Sequence, residues 1–156
     1  MTTPTSDGFR PYVDQLIDQH RAILHDSLDG LTEDEARRSL VPSATTLLGL
    51  LKHATFVEKV WFDQDISGRS RSEIGIPESS EDSFLLTPDD TIASIQAEHR
   101  VACEHSRQVA AALDLDTEVR GRRPHPLWAS SMHVLRKLAH HCGHADILRE
   151  QILAAR

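Results

Sequence analysis

The segment His140-His141-Cys142-Gly143-His144 places three imidazoles and a thiol within five residues. Imidazole is the commonest metal-binding side chain and titrates nearest neutrality, so the cluster points to metal or proton chemistry. On a helix, residues three or four apart share a face, which gives His141/His144 and His140/His144 the spacing to chelate one ion. His53 stands apart, inside an apolar stretch. Alone it reads as a core imidazole hydrogen-bonded to a carbonyl; opposite the cluster it reads as a ligand, because bundle cores are where facing helices build metal sites. Cys142 reads as a small apolar residue, and Cys103 carries still less chemistry. His20, His25, His99, His105 and His125 read as core-edge or surface residues.

Long helices must position these groups. Val13, Leu16, Ile17, Ile23, Leu24 and Leu28 recur at three-to-four spacing, predicting a helix over about 10–29 that Gly30 ends. Thr32-Glu33-Asp34-Glu35 is a capping box opening a short helical turn toward Arg38, broken by Pro42 and Ser43. A second helix is predicted over about 45–65, apolar on most sides, with Gly68 closing it. The stretch from Ser67 to Leu86 is rich in Ser, Gly, Glu and Pro and reads as a loop, either a lid over the site or a connector. Thr87-Pro88-Asp89-Asp90 predicts the start of a third helix running to about Leu113. A loop from Asp114 to Pro126 and a last helix over about 128–154 complete the chain, with no convincing strand. At about 100° per residue the last helix has a core stripe of Val134, Leu135, Leu138, Cys142, Ala145, Leu148 and Ile152. His141 falls on the edge of that stripe, and His133, Lys137, His140 and His144 form the neighbouring row. The expectation is a single all-α, four-helix bundle domain over residues 1–156.

Bulk properties bound the function. With 39% hydrophobic and 26% charged residues in 156, the chain has the composition of one globular domain. A net charge of -7 argues against a nucleic-acid surface, which needs clustered Lys and Arg. The local exception, Arg120-Gly121-Arg122-Arg123, reads as a solvated basic loop before it reads as an anion site. No stretch approaches the roughly 20 apolar residues of a membrane span. The segment Met1–Gly8 has neither the basic nor the apolar region of a secretory signal, so a cytoplasmic location with reduced Cys103 and Cys142 is expected.

The segment from Leu50-Leu51-Lys52-His53-Ala54 to Trp61-Phe62, and the last helix from His133 through Ala139-His140-His141-Cys142-Gly143-His144-Ala145-Asp146 to Leu148-Arg149-Glu150, resemble the actinobacterial branch of the DinB-like superfamily. That resemblance implies a four-helix bundle with a divalent metal held by one histidine of the second helix and two residues, four apart, of the last. His53 matches the first ligand and His141 the last, but the intermediate position is Lys137, whose ammonium has no lone pair. His144, or else His140, is the candidate replacement, giving His53, His141 and His144 as the expected ligand set for Zn²⁺ or Ni²⁺ in preference to Mn²⁺ or Fe²⁺. The resemblance further implies a thiol-dependent transferase or isomerase using mycothiol, bacillithiol or glutathione on an electrophilic small molecule. Arg122 or Arg123 is a candidate to steady an acidic group. A small metal-dependent hydrolase and a metal-free bundle that binds a small ligand or serves in a stress response are the alternatives. Relatives are often homodimers, and Ile147, predicted to be exposed, permits such a contact.

Overall fold

A computed structural model of the chain describes residues 6–156, so the expectation for the amino-terminal segment falls largely on residues 1–5, outside the described ones. The elements are α1 (Ser6–Asp26), α2 (Glu33–Ala36), α3 (Leu47–Lys59), a π turn (Val60–Gln64), α4 (Asp65–Ser67), α5 (Arg71–Ile74), a 3-10 turn (Asp82–Phe84), α6 (Ile92–Ala111), β1 (Glu118–Val119), β2 (His125–Pro126) and α7 (Leu127–Ala154). α1, the run from α3 to α4, α6 and α7 are the four bundle helices, with α1 packed mainly on α7 and α3 on α6. The fold is the all-α bundle that the hydrophobic periodicity predicts.

The apolar stripes meet as expected. Val13, Ile17, Leu24, Leu28, Leu50, Leu51, Ile95, Val134, Leu138, Ala145 and Ile152 are buried together. Each large aliphatic side chain removed from water in this way stabilises the fold by about 1.5–3 kcal/mol before entropy is charged against it. Ile147 is exposed, as the wheel requires. No helix among the described residues is long and apolar enough to cross a membrane.

A buried ion pair ties α1 to α3. Arg21 donates from Nε to Glu58 Oε1 at 2.8 Å and from Nη2 to Glu58 Oε2 at 2.7 Å, with Phe62 under the guanidinium. Both residues are buried, Glu58 to 1% exposure.

Helix ends follow local chemistry. Thr32 caps α2 and exchanges hydrogen bonds with Glu35, and Gly30 and Gly68 take the left-handed conformation that ends the preceding helices. Three expectations need correction. The 67–86 stretch is structured: Ser70 and Glu73 form a capping box that starts α5, and the 3-10 turn packs on α3. The third long helix begins at Ile92, with Thr91 and Ser94 as its reciprocal cap. The Asp90 carboxylate instead accepts from Lys52 Nζ and from the Thr87 N–H, each at 2.7 Å, and this holds residues 87–90 in a turn against α3. Finally, the 114–126 loop contains a short antiparallel pair, Glu118 opposite Pro126 and Val119 opposite His125.

The π turn lies where α3 passes into α4. Asp65 N–H donates to the Val60 carbonyl, five residues back, so this turn holds one residue more than an α turn. Arg120 N–H donates to the Asp65 carbonyl at 2.9 Å, which fastens the start of the β1–β2 hairpin to the end of this helix.

Candidate functional site

His53, on the inner face of α3, is 5% exposed and stacks on Phe84 with ring centroids 4.0 Å apart. That contact is possible because Gly49, one turn earlier, lets the 3-10 turn lie directly on the helix. A Cβ there would come within 2.6 Å of the Phe84 carbonyl oxygen. The close approach also places Ser83 Oγ 2.7 Å from His53 Nδ1. Ser83 Oγ donates its own proton to the Ser80 carbonyl, so the proton in the first contact belongs to the imidazole. His53 therefore carries hydrogen on Nδ1 and a lone pair on Nε2. This is the arrangement in which a second residue fixes the tautomer of a ligand histidine.

His141 approaches His53 from α7, the two rings edge to face with centroids 4.8 Å apart. It is 9% exposed, and neither of its ring nitrogens has a hydrogen-bond partner among the described residues. Orphaned buried nitrogens of this kind are uncommon in native folds and mark a place for a ligand, a water or an ion. Burial, then the neighbouring His141 and Lys137, lowers His53 to about 3. Burial, then His144, Lys137 and His140, lowers His141 to about 4. Both imidazoles are thus neutral at pH 7, with lone pairs to offer.

The rest of the cluster separates. His144 is exposed, its ring centroid 5.9 Å from that of His141, and it lies nearer the exposed His140, at 4.9 Å. Lys137 is half-buried and lines the same pocket as His53. No three His, Cys, Asp or Glu side chains among the described residues are grouped closely enough to share an ion. The pair His53 and His141 has the chemistry of two metal ligands, the His141 nitrogens unsatisfied, and no third ligand stands with them; Lys137 shares the pocket lining with His53. Cys142 packs in the core with its thiol toward the His20 carbonyl, and burial pushes that thiol up to about 11, so it is structural. His133 lies against Trp61, the rings tilted by 32° with centroids 3.9 Å apart. His99 departs from the core-edge reading: it is 2% exposed, beside Cys103.

His53 and Lys137 open into a pocket of about 1030 Å³. Phe56, Val57, Val60 and Trp61 supply an apolar wall, and the β1–β2 hairpin brings Arg120, Arg122 and Arg123 to its lining. The size reaches the upper end of single-ligand sites, about 1,000 Å³, which leaves room for two reactants. The sequence pointed to His53, His141 and the basic run, whose arginines are exposed as expected and also line the pocket. Sequence reasoning missed Ser83, a residue with no local signal because its role depends on a contact across thirty positions of chain.

Comparison with known families gives a match over residues 12–154 to a family model described as Mycothiol-S-transferase. Comparison with curated proteins gives no match.

Proposed function

The chain belongs to the mycothiol-S-transferase family, and on that premise we propose that it joins the sulfur of a mycothiol-type thiol to an electrophilic small molecule. The observation that carries this reading is the pair of buried, neutral imidazoles, His53 at the wall of a pocket large enough for both reactants and His141 edge-on behind it. In the reaction the thiol gives its proton to water, and the sulfur lone pair forms a carbon–sulfur bond. Either a leaving group departs with its electron pair, or an activated double bond is saturated and its neighbouring carbon takes up a proton.

A divalent ion such as Zn²⁺ is part of this proposal. His53 through Nε2 and His141 would hold it, with His144 the candidate third ligand. When bound, such an ion keeps a thiol as its thiolate near neutral pH. The chain's own residues supply the remainder. Ser83 holds the His53 lone pair in place, Lys137 offers a positive charge to a developing thiolate, and Phe56, Val57 and Trp61 exclude water from the reacting atoms. A second reading follows from Lys137 in the pocket lining: a metal-free site in which that ammonium alone is the counter-charge of the thiolate.

Protein purified without a histidine tag, stripped with chelator and re-titrated with Zn²⁺ or Ni²⁺, tests the proposal when mycothiol loss is followed with a panel of electrophiles. Thiol-dependent turnover restored by about one equivalent of metal supports the metal-assisted reading. Turnover indifferent to chelation supports the lysine reading, and no thiol consumption under either condition refutes both.

A further inference from the structure

The pocket is strongly basic in a chain whose net charge is -7. Arg69, Arg71, Arg120, Arg122, Arg123 and Lys137 contribute to its lining, against two carboxylates, Asp65 and Glu73. The Glu73 carboxylate is committed to the Ser70 N–H and hydroxyl at 2.7 and 2.8 Å. Two of the cations are also committed. Arg69 is paired with Asp63, and Arg71 bonds Gln64 and the Glu78 carbonyl while lying over Phe56.

The three hairpin arginines differ. All three are exposed where they line the pocket, and among the described residues no ion pair or side-chain hydrogen bond engages their guanidiniums. Their backbone, by contrast, is held firmly. Arg120 N–H bonds the Asp65 carbonyl. His125 fixes the far side through Nδ1, which donates to the Arg123 carbonyl, and through Nε2 on Ser130 Oγ, both at 2.8 Å. Gly121 sits at φ +37, where a Cβ would come within 2.7 Å of the His125 ring, so the turn is built for close packing. A fixed backbone that presents unpaired guanidiniums to a cavity is pre-organised for a planar anion, which arginine grips through paired N–H donors.

We propose that the hairpin arginines Arg120, Arg122 and Arg123 form an anion subsite, so that the electrophile this protein accepts carries a carboxylate or similar compact anion. This rests on the thiol-transfer reading for the identity of the occupant, and on the hairpin geometry alone for the subsite. The apolar wall of Trp61 and Phe56 seats the body of the electrophile, and the hairpin holds its charged end away from the His53–His141 pair.

A matched pair of probes tests it: a chloronitrobenzoate and its methyl ester, which lose chloride to a thiolate at the same carbon. The acid is expected to exceed the ester in kcat/KM by about tenfold or more, the scale of a charge-assisted hydrogen bond. In the Arg122→Gln/Arg123→Gln double variant, that ratio falls toward one. Unreactive nitrobenzoate should inhibit competitively against the electrophile; competition against the thiol instead would assign the anion to the other reactant and overturn the proposal. An acid-to-ester ratio of one in the parent, or a ratio the double variant leaves unmoved, also overturns it. If neither probe is turned over, the electrophile panel decides the thiol-transfer reading, and calorimetry with nitrobenzoate alone decides the subsite. Binding that the double variant weakens about tenfold keeps it, and no binding removes it.

Discussion

Replacing Ser83 with alanine separates two roles of the His53 environment. Ser83 is 2% exposed, and its Oγ is the acceptor of the His53 Nδ1–H at 2.7 Å. The variant leaves a buried imidazole donor without a partner, which costs roughly 1–3 kcal/mol. The second bond lost, from Ser83 Oγ to the Ser80 carbonyl, adds less because Ser80 is exposed and water can replace it. A total near 2 kcal/mol corresponds to a fall of about 1 M in the urea midpoint for a slope of about 2 kcal/mol per molar. The imidazole has one escape: the proton can move to Nε2, toward the pocket, where water accepts it. That choice recovers stability and removes the lone pair facing the reactants, so metal affinity or activity falls by roughly 10–100-fold. Urea titration reads the first outcome, and long-range nitrogen–proton NMR correlations of the His53 ring read the second. A midpoint equal to the parent's, together with an Nδ1 that still carries the proton, would refute the tautomer argument.

Acid sensitivity should trace to the buried histidines His53, His141 and His99, and His99 lies outside the pocket; burial, then His25, Arg21, Arg107 and Arg100, lowers it to about 3. Because its folded value lies below its unfolded value near 6.5, its contribution is complete above pH 6.5 and is lost as pH falls toward 3. At pH 5 the loss is about 2 kcal/mol, and a His99→Gln variant should show a correspondingly shallower decline in stability between pH 7 and 5. Glu58→Leu leaves the buried Arg21 charge with only Asp18 and should destabilise by about 3–5 kcal/mol, whereas Arg21→Met/Glu58→Leu should recover most of that loss. A double variant as unstable as the single one in denaturant titration would show that the pair does more than satisfy its own burial. Gly49→Ala drives a Cβ against the Phe84 carbonyl; overpacking of about 1–3 kcal/mol outweighs about 1 kcal/mol of helix propensity. Its Tm should fall by about 2–4 °C per kcal/mol of net loss, and an unchanged or raised Tm would mean that the 3-10 turn yields freely.

The helices were legible because their signals are local. Apolar spacing, the Thr32 and Glu35 capping box, and the closing glycines Gly30 and Gly68 each act within one or two turns of chain. The His53–His141 pairing was legible for a related reason: once both lie on inward faces, a four-helix bundle has few ways to keep them apart. Competing tertiary contacts hid the rest. Thr87 looks like a cap until Lys52 claims Asp90, and the exposed Arg122 and Arg123 come to line the pocket only because the Arg120–Asp65 bond ties the hairpin to the helix end. The Ser70–Glu73 box that starts α5 was a readable local signal, obscured by the polar composition around it.

The π turn at Val60–Gln64 makes the pocket wall depend on a count as well as on residue identities. One residue more than an α ladder needs is stored there, and removing it would let the helix close without a break. The wide turn absorbs that residue, so every residue beyond the excision would keep its orientation relative to α3. Asp65 would still offer its carbonyl to Arg120 and the hairpin would keep its anchor, while the pocket wall between Val60 and Gln64 lost one residue. A single-residue gap in this turn is therefore a change in the pocket wall written as a change of length. Among relatives, residue number between the His53 and Asp65 positions should sort binding pockets that residue type alone would group together.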